Sequence, residues 1–128
     1  MRLTATLSPR HAAGMLAGLV QSDLLQITDT GDTSLPVLRG LKDGNIRYEA
    51  RDPEEHWRTW AEILQDGYGD CEDLVPAVVA ELKAIGIQAR PVAYETDPGL
   101  WHVVAQVFGV EGVDYIDPSR EGGMGTQV

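Results

Sequence analysis

The fold is decided by residues 67–86, which read GYGDCEDLVPAVVAELKAIG. The glycines and Asp70 predict a tight turn, and Cys71 follows it directly. Apolar residues then recur at helical spacing, so we expect a helix from Cys71 to Ile85, ended by Gly86. A thiol at the amino end of a helix is expected to have a lowered pKa, because the dipole there stabilises the thiolate. The predicted buried side of the helix consists of Leu74, Val75, Val78, Val79 and Leu82.

Beyond Gly86 the apolar pattern changes to a period of two, which is typical of strands. Turn residues divide this region into three segments, so an antiparallel meander is predicted. His102 then lies on the second strand and Asp117 ends the third. The predicted strands are Gln88–Glu95, Leu100–Phe108 and Val113–Asp117, with turns at Thr96–Gly99 and Gly109–Gly112.

Working outward toward the amino terminus, Asp52-Pro53 predicts the start of another helix, which should end before Gly67. Its apolar stripe is Trp57, Trp60, Ala61 and Leu64. Val37–Tyr48 is expected to form two short strands around the turn Asp43-Gly44-Asn45.

The first third of the chain predicts one helix, which begins at Ser8-Pro9. A short strand at Leu3–Leu7 should precede it, and a loop at Thr28–Ser34 should follow. The residues expected on the buried face of this helix are Met15, Leu16, Leu19 and Val20.

The length of 128 residues predicts one domain spanning 1–128. Within it we expect an amino-terminal part at 1–50, a core at 51–121 and a flexible tail at 122–128. The predicted class is α+β, with one helix packed on a small antiparallel sheet.

Twenty acidic residues against ten basic ones give a net charge of −10. Such a chain repels nucleic-acid backbones and anionic membrane surfaces, so neither is expected as a partner. A lone cysteine excludes an internal disulfide framework and a four-cysteine zinc site. We find no apolar run long enough to cross a membrane and no signal peptide. The expected location is the cytoplasm or a virion.

Cys71, His102 and Asp117 together have the order of a nucleophile, a base and an orienting acid. Each has a simpler explanation: a core cysteine, a structural histidine, and a turn residue before a proline. Their placement on a helix and two adjacent strands favours a catalytic triad over chance.

These residues also resemble a known family. The runs Gly69-Asp70-Cys71-Glu72-Asp73, Gly86–Val92, His102-Val103-Val104 and Asp117-Pro118 are similar to the transglutaminase-like superfamily, and the first run to its bacterial cysteine proteinases. The resemblance covers about half of the chain and implies a papain-like core. It further implies that Cys71 is the nucleophile, His102 the general base and Asp117 the orienting acid, in amide cleavage or acyl transfer through a thioester. Pro76 departs from the family and should kink or delay the helix.

Two further features are implied by the resemblance. The first is a second oxyanion donor beside the Cys71 amide, either the side chain of Gln65 or the indole of Trp60, although Trp60 also fits a place in the core. The second is a calcium site at Asp70 and Glu72, since oxygen ligands suit that ion. The alternative is that the acidic residues only complement the helix dipole. They would also raise the pKa of the thiol.

Two functional hypotheses remain. The first is a cysteine peptidase or amidase that acts on a protein or peptide and requires no cofactor, with calcium as an optional ion. The second is a structural module of a larger protein assembly, such as a phage particle, that keeps the fold with little or no catalysis. The intact triad favours the enzyme.

Overall fold

The computed structural model describes residues 9–49, 57–98 and 100–123. This part of the chain is mixed helix and strand, which confirms the predicted α+β class. Its helices are α1 (Pro9–Thr30), α2 (Pro36–Asp43), α3 (Trp60–Asp66), α4 (Cys71–Ala84) and α5 (Pro118–Glu121). Its strands are β1 (Arg47–Tyr48), β2 (Tyr68–Gly69), β3 (Ala89–Asp97), β4 (Leu100–Val110) and β5 (Val113–Ile116).

Helix α4 is the central element and matches its predicted bounds to within one residue. Its amino end is held by a capping box: the Asp70 carboxylate accepts from the Glu72 and Asp73 amides, and the Asp73 side chain accepts from the Asp70 amide. Every residue from Cys71 to Leu82 is buried, including all five predicted apolar ones. Pro76 does not delay the helix, which begins at Cys71 as the pattern predicted.

The predicted meander is present as an antiparallel sheet in the order β3-β4-β5. Strand β4 is therefore central, with His102 opposite Tyr94 of β3. A bulge between Glu95 and Asp97 shifts the register by one residue near the hairpin turn. Asp117 directly follows β5 and caps α5.

The amino-terminal predictions were wrong in three places. Helix α1 continues to Thr30 through the first part of the predicted loop, and Met15 on it is exposed rather than buried. The first of the two strands predicted around Gly44 is helix α2 instead. Pro36 opens that helix, and the N–H groups of Val37 and Leu38 bind a partner on α4, so a helix is stable where the turn at residues 43–45 had suggested a strand.

Helix α3 begins later than predicted, at Trp60, because Thr59 forms a capping box with Glu62. It ends before Gly67 as expected. Its buried residues are Trp60 and Ile63, whereas the predicted stripe residue Leu64 is exposed.

The predicted turn at residues 67–70 contains strand β2, which pairs in parallel with β1. Gly122, predicted to begin a loose tail, instead accepts a hydrogen bond from the Tyr48 amide at 2.8 Å. A Cβ at Gly122 would lie 2.6 Å from that nitrogen, so the close packing requires glycine. The predictions for Leu3–Leu7, Ser8, Asp52-Pro53 and residues 124–128 lie outside the described residues. Among the described helices, none has the length and apolarity that a membrane span requires.

One buried carboxylate joins three helices. Glu81 of α4 accepts from the amides of Val37 and Leu38 at 2.7 and 3.0 Å and from the Trp60 indole at 2.9 Å. These bonds replace the side-chain cap that α2 lacks, since Leu35 at its N-cap offers none. The α2 and α3 segments are thereby fixed to the helix that carries Cys71.

A second buried carboxylate, Asp23 of α1, accepts from the Trp60 amide at 2.8 Å. Burial is the main reason that its pKa is raised to about 7, and the nearby charges of Asp73, Glu81 and Glu62 add to it. Its second oxygen has no hydrogen-bond partner in the described structure. In the folded protein Asp23 is therefore mostly protonated below about pH 7.

This raised pKa predicts a pH-dependent stability. The unfolded chain releases the Asp23 proton above its ordinary pKa of 3.8, while the folded protein retains it up to about pH 7. The contribution is present at low pH and is lost as the pH rises through that window. Asp23→Asn mimics the protonated carboxyl and does not titrate. Its free energy of unfolding should therefore rise relative to that of wild type by roughly 4 kcal/mol between pH 4 and pH 8.

Urea unfolding at both pH values measures this difference. Asp29→Asn, at an exposed position of α1, is the matched control and should track wild type. Parallel pH curves for Asp23→Asn and wild type would contradict the prediction.

Candidate active site

Cys71 is the first residue of α4, and the packing of that helix against the sheet places its sulfur beside β4. Its side chain is only 5% exposed. The backbone N–H of Val103, the residue after His102, is directed at the sulfur. The thiol thus lies next to the stretch of β4 that carries the predicted base.

The local environment keeps this thiol protonated. Burial raises the pKa of Cys71 to about 12, the Glu72 charge adds to the rise, the Val103 N–H opposes it, and Asp73 raises it further. The expectation that the helix dipole lowers this pKa was therefore wrong. Desolvation and two adjacent carboxylates exceed the effect of a helix end, which amounts to about 0.3–1 kcal/mol at exposed sites.

His102 lies near the start of β4 and Asp117 directly after β5, and the antiparallel pairing of these strands brings the two side chains together. His102 Nε2 lies 2.9 Å from Asp117 Oδ2, and His102 is 8% exposed. With Nε2–H donating to the carboxylate, the neutral ring carries its lone pair on Nδ1. Nδ1 makes no hydrogen bond within the described structure, and neither does the Cys71 thiol with the ring. Of the two ring nitrogens of His102, Nδ1 is therefore the one that can accept a proton.

Asp117 is held in its charged form. Burial raises the pKa of its carboxyl, but the hydrogen bond and charge of His102, with help from the Arg120 amide and guanidinium, bring the pKa below its usual value. Arg120 Nε lies 3.6 Å from the same oxygen that faces His102. An ionised carboxylate at this place fixes the tautomer of the imidazole.

The two candidates for a second oxyanion donor differ in their surroundings. Trp60 is buried and its indole N–H donates to Glu81, which fits the core alternative. Gln65 is exposed near the end of α3, and no hydrogen bond joins it to Cys71 or His102 in the described structure. The Gln65 side-chain amide is therefore not hydrogen-bonded to Cys71 or to His102 in the described structure.

The acidic residues around Cys71 are fully packed. Asp70 caps α4, and both it and Glu72 are buried. In the described ranges, no group of three or more His, Cys, Asp or Glu side chains is arranged to hold a metal ion. The cap explains Asp70 without an ion, and the calcium site stays a prediction.

Sequence reasoning missed Tyr94. Its ring lies 5.6 Å from the His102 ring, centroid to centroid, at an interplanar angle of 86°. The pairing of Tyr94 with His102 follows from the register of the β3–β4 hairpin, and the bulge before its turn hides that register from a simple count of residues.

The comparisons with known proteins give one family. No curated protein and no solved structure matches the chain significantly. The model of the transglutaminase-like superfamily matches residues 35–117, a range that runs from the start of α2 to Asp117 and contains Cys71 and His102. The match spans well over half of the sequence and agrees with the helix-on-sheet core. The chain therefore belongs to the transglutaminase-like superfamily.

Proposed function

We propose that this protein is a cysteine-dependent amide hydrolase, a peptidase or amidase, that uses Cys71, His102 and Asp117. The observation that carries the proposal is the 2.9 Å pair between His102 Nε2 and Asp117 Oδ2, which leaves Nδ1 as the ring nitrogen that can accept a proton. The next residue on the same strand, Val103, directs its N–H at the Cys71 sulfur. Family membership supports the fold in which such chemistry occurs. Fold alone does not select hydrolysis, so the site carries the argument.

In the proposed reaction, Cys71 Sγ attacks the carbonyl carbon of a peptide amide while its proton passes to His102 Nδ1. The resulting imidazolium then protonates the departing amine, and a thioester remains on Cys71. Water activated by the same nitrogen hydrolyses the thioester and restores the thiol. The Asp117 carboxylate stabilises the imidazolium in both steps.

The raised pKa of Cys71 decides the timing of proton transfer. With a pKa of about 12, the thiolate fraction at pH 7 is on the order of 10⁻⁵, so a resting thiolate–imidazolium pair is disfavoured. The thiol then needs its base at the moment of attack, as a serine nucleophile does. This makes the reaction strongly dependent on the orientation of His102.

The developing oxyanion needs donors. The Asp70 cap takes the amides of Glu72 and Asp73 and leaves the Cys71 amide outside it, at the start of α4. We assign that amide as the first donor and the Gln65 side chain as the second, since the Trp60 indole is bound to Glu81.

Substitutions in the triad give the first test. On a panel of fluorogenic peptide amides and casein, Cys71→Ser and His102→Ala should each lower kcat by about 10³-fold or more, because the residues act as one unit. Asp117→Asn should lower it less, since the ring loses its preferred tautomer but keeps its neighbours.

Asp114→Asn, at an exposed position of β5, the strand that Asp117 follows, is the matched control and should retain full activity. Melting temperatures establish that each variant is folded. Equal turnover by folded Cys71→Ser and wild type would contradict the proposal.

The buried thiol predicts slow alkylation. The chain has one cysteine, so the same protein in urea gives the reference rate. At pH 7, iodoacetamide should modify folded Cys71 about 10³-fold more slowly than the unfolded chain, and the rate should still be rising above pH 9. Rapid, selective modification of the folded protein at pH 6 would show a preformed thiolate instead. Intact mass against time measures both rates.

Calcium is proposed as an optional ligand of Asp70 and Glu72. If it binds the native protein there, millimolar calcium should raise the melting temperature by a few degrees. Asp70→Asn should remove that increase. Magnesium at equal ionic strength controls for screening. An unchanged melting temperature leaves Asp70 with its capping role alone.

One observation favours a second candidate, a structural module of a protein assembly. The nucleophile is nearly covered and its protonated form is favoured, as in an inert core cysteine. In that case Cys71→Ser is silent in every functional assay, and Cys71 is needed only for packing.

A further inference from the structure

Tyr94 stands out among the groups that the proposed mechanism leaves unused. It is 45% exposed, although it lies on β3 directly opposite the nearly buried His102. The two rings meet edge to face, 5.6 Å apart and 86° from parallel. This geometry is a favoured one for aromatic pairs.

The position of His102 on the central strand explains what such a contact can do. Asp117 reaches the ring from the β5 side and holds it at Nε2. One hydrogen bond at Nε2 does not by itself set the torsion about the Cβ–Cγ bond of His102, and rotation about that bond moves Nδ1. Tyr94 contacts the ring from the β3 side, so the imidazole is held between neighbours from both flanking strands.

We propose that Tyr94 is a positioning residue that fixes the plane of the His102 ring and so directs Nδ1 toward Cys71. The inference rests on the proposed function, in which His102 must accept the thiol proton during attack. With Tyr94, strand β3 contributes a residue to the site in addition to the residues from β4 and the end of β5. The contact uses the aromatic ring and leaves the Tyr94 hydroxyl without a role in the contact.

The kinetic test compares Tyr94→Phe with Tyr94→Leu. Tyr94→Phe keeps the ring and should retain wild-type kcat. Tyr94→Leu keeps apolar bulk but removes the ring and should lower kcat about 3- to 10-fold with KM unchanged, the size expected for one aromatic contact. Tyr115→Leu is the matched control, because Tyr115 is 58% exposed on β5 and pairs with Gln106 instead.

A second measurement keeps the inference separate from catalysis. In the Cys71→Ser background, NMR of the His102 ring should show contacts to the Tyr94 ring and a slowly exchanging, hydrogen-bonded Nε2–H. Tyr94→Leu should broaden the ring signals and speed exchange of that proton, whereas Tyr94→Phe should not.

The outcomes distinguish the two ideas. Altered ring signals in Tyr94→Leu together with an inactive wild-type protein would overturn the proposed function and leave the positioning contact standing. Unchanged ring signals in Tyr94→Leu, or an equal loss of kcat in Tyr94→Phe and Tyr94→Leu, would overturn the assignment of Tyr94.

Discussion

The carboxylate of Glu81 is the interaction on which the rest of the structure depends. It lies inside the protein and binds two amides at the start of α2 and the indole of Trp60. A buried carboxylate is tolerated only when such donors replace its water. Burial raises its pKa, while these three donors oppose the rise. Removing the group would leave the start of α2 uncapped inside the core, which typically costs about 1–3 kcal/mol for each unsatisfied group. The helix that begins with Cys71 is therefore held in place by the hydrogen bonds of Glu81 as well as by apolar packing.

The opposite end of α4 carries the candidate active site, and the contacts that fix the helix also fix the position of Cys71. The helix brings a neutral, buried thiol beside β4, and the two flanking strands supply Asp117 and Tyr94 around His102. In our account, the environment that raises the pKa of Cys71 also slows its oxidation and alkylation. In our account, reactivity comes from the base at the moment of attack, so the orientation of the imidazole matters more than the charge of the resting sulfur.

The sequence predicted the parts of this arrangement that depend on local patterns. The α4 helix, the three-stranded sheet and the His102–Asp117 neighbourhood follow from apolar periodicity and turn residues. Predictions were wrong where a distant group decides the local structure. Helix α2 forms where the first of two strands was expected, because its cap is a glutamate more than forty residues away. The pKa of Cys71 rises rather than falls, because the thiol is buried by residues from other parts of the fold, which the local sequence around Cys71 does not show. Tyr94 was missed because a bulge sets its register with His102.

The central claim is that Cys71 attacks an amide carbonyl with His102 as its base. Intact mass spectrometry after rapid mixing with casein-derived peptides and an acid quench tests it most directly. Our account predicts an acyl adduct on Cys71 that hydroxylamine removes, with Cys71→Ser giving none and His102→Ala only a trace. A folded wild-type protein that never carries such an adduct, under conditions in which the peptides are bound, would contradict the account.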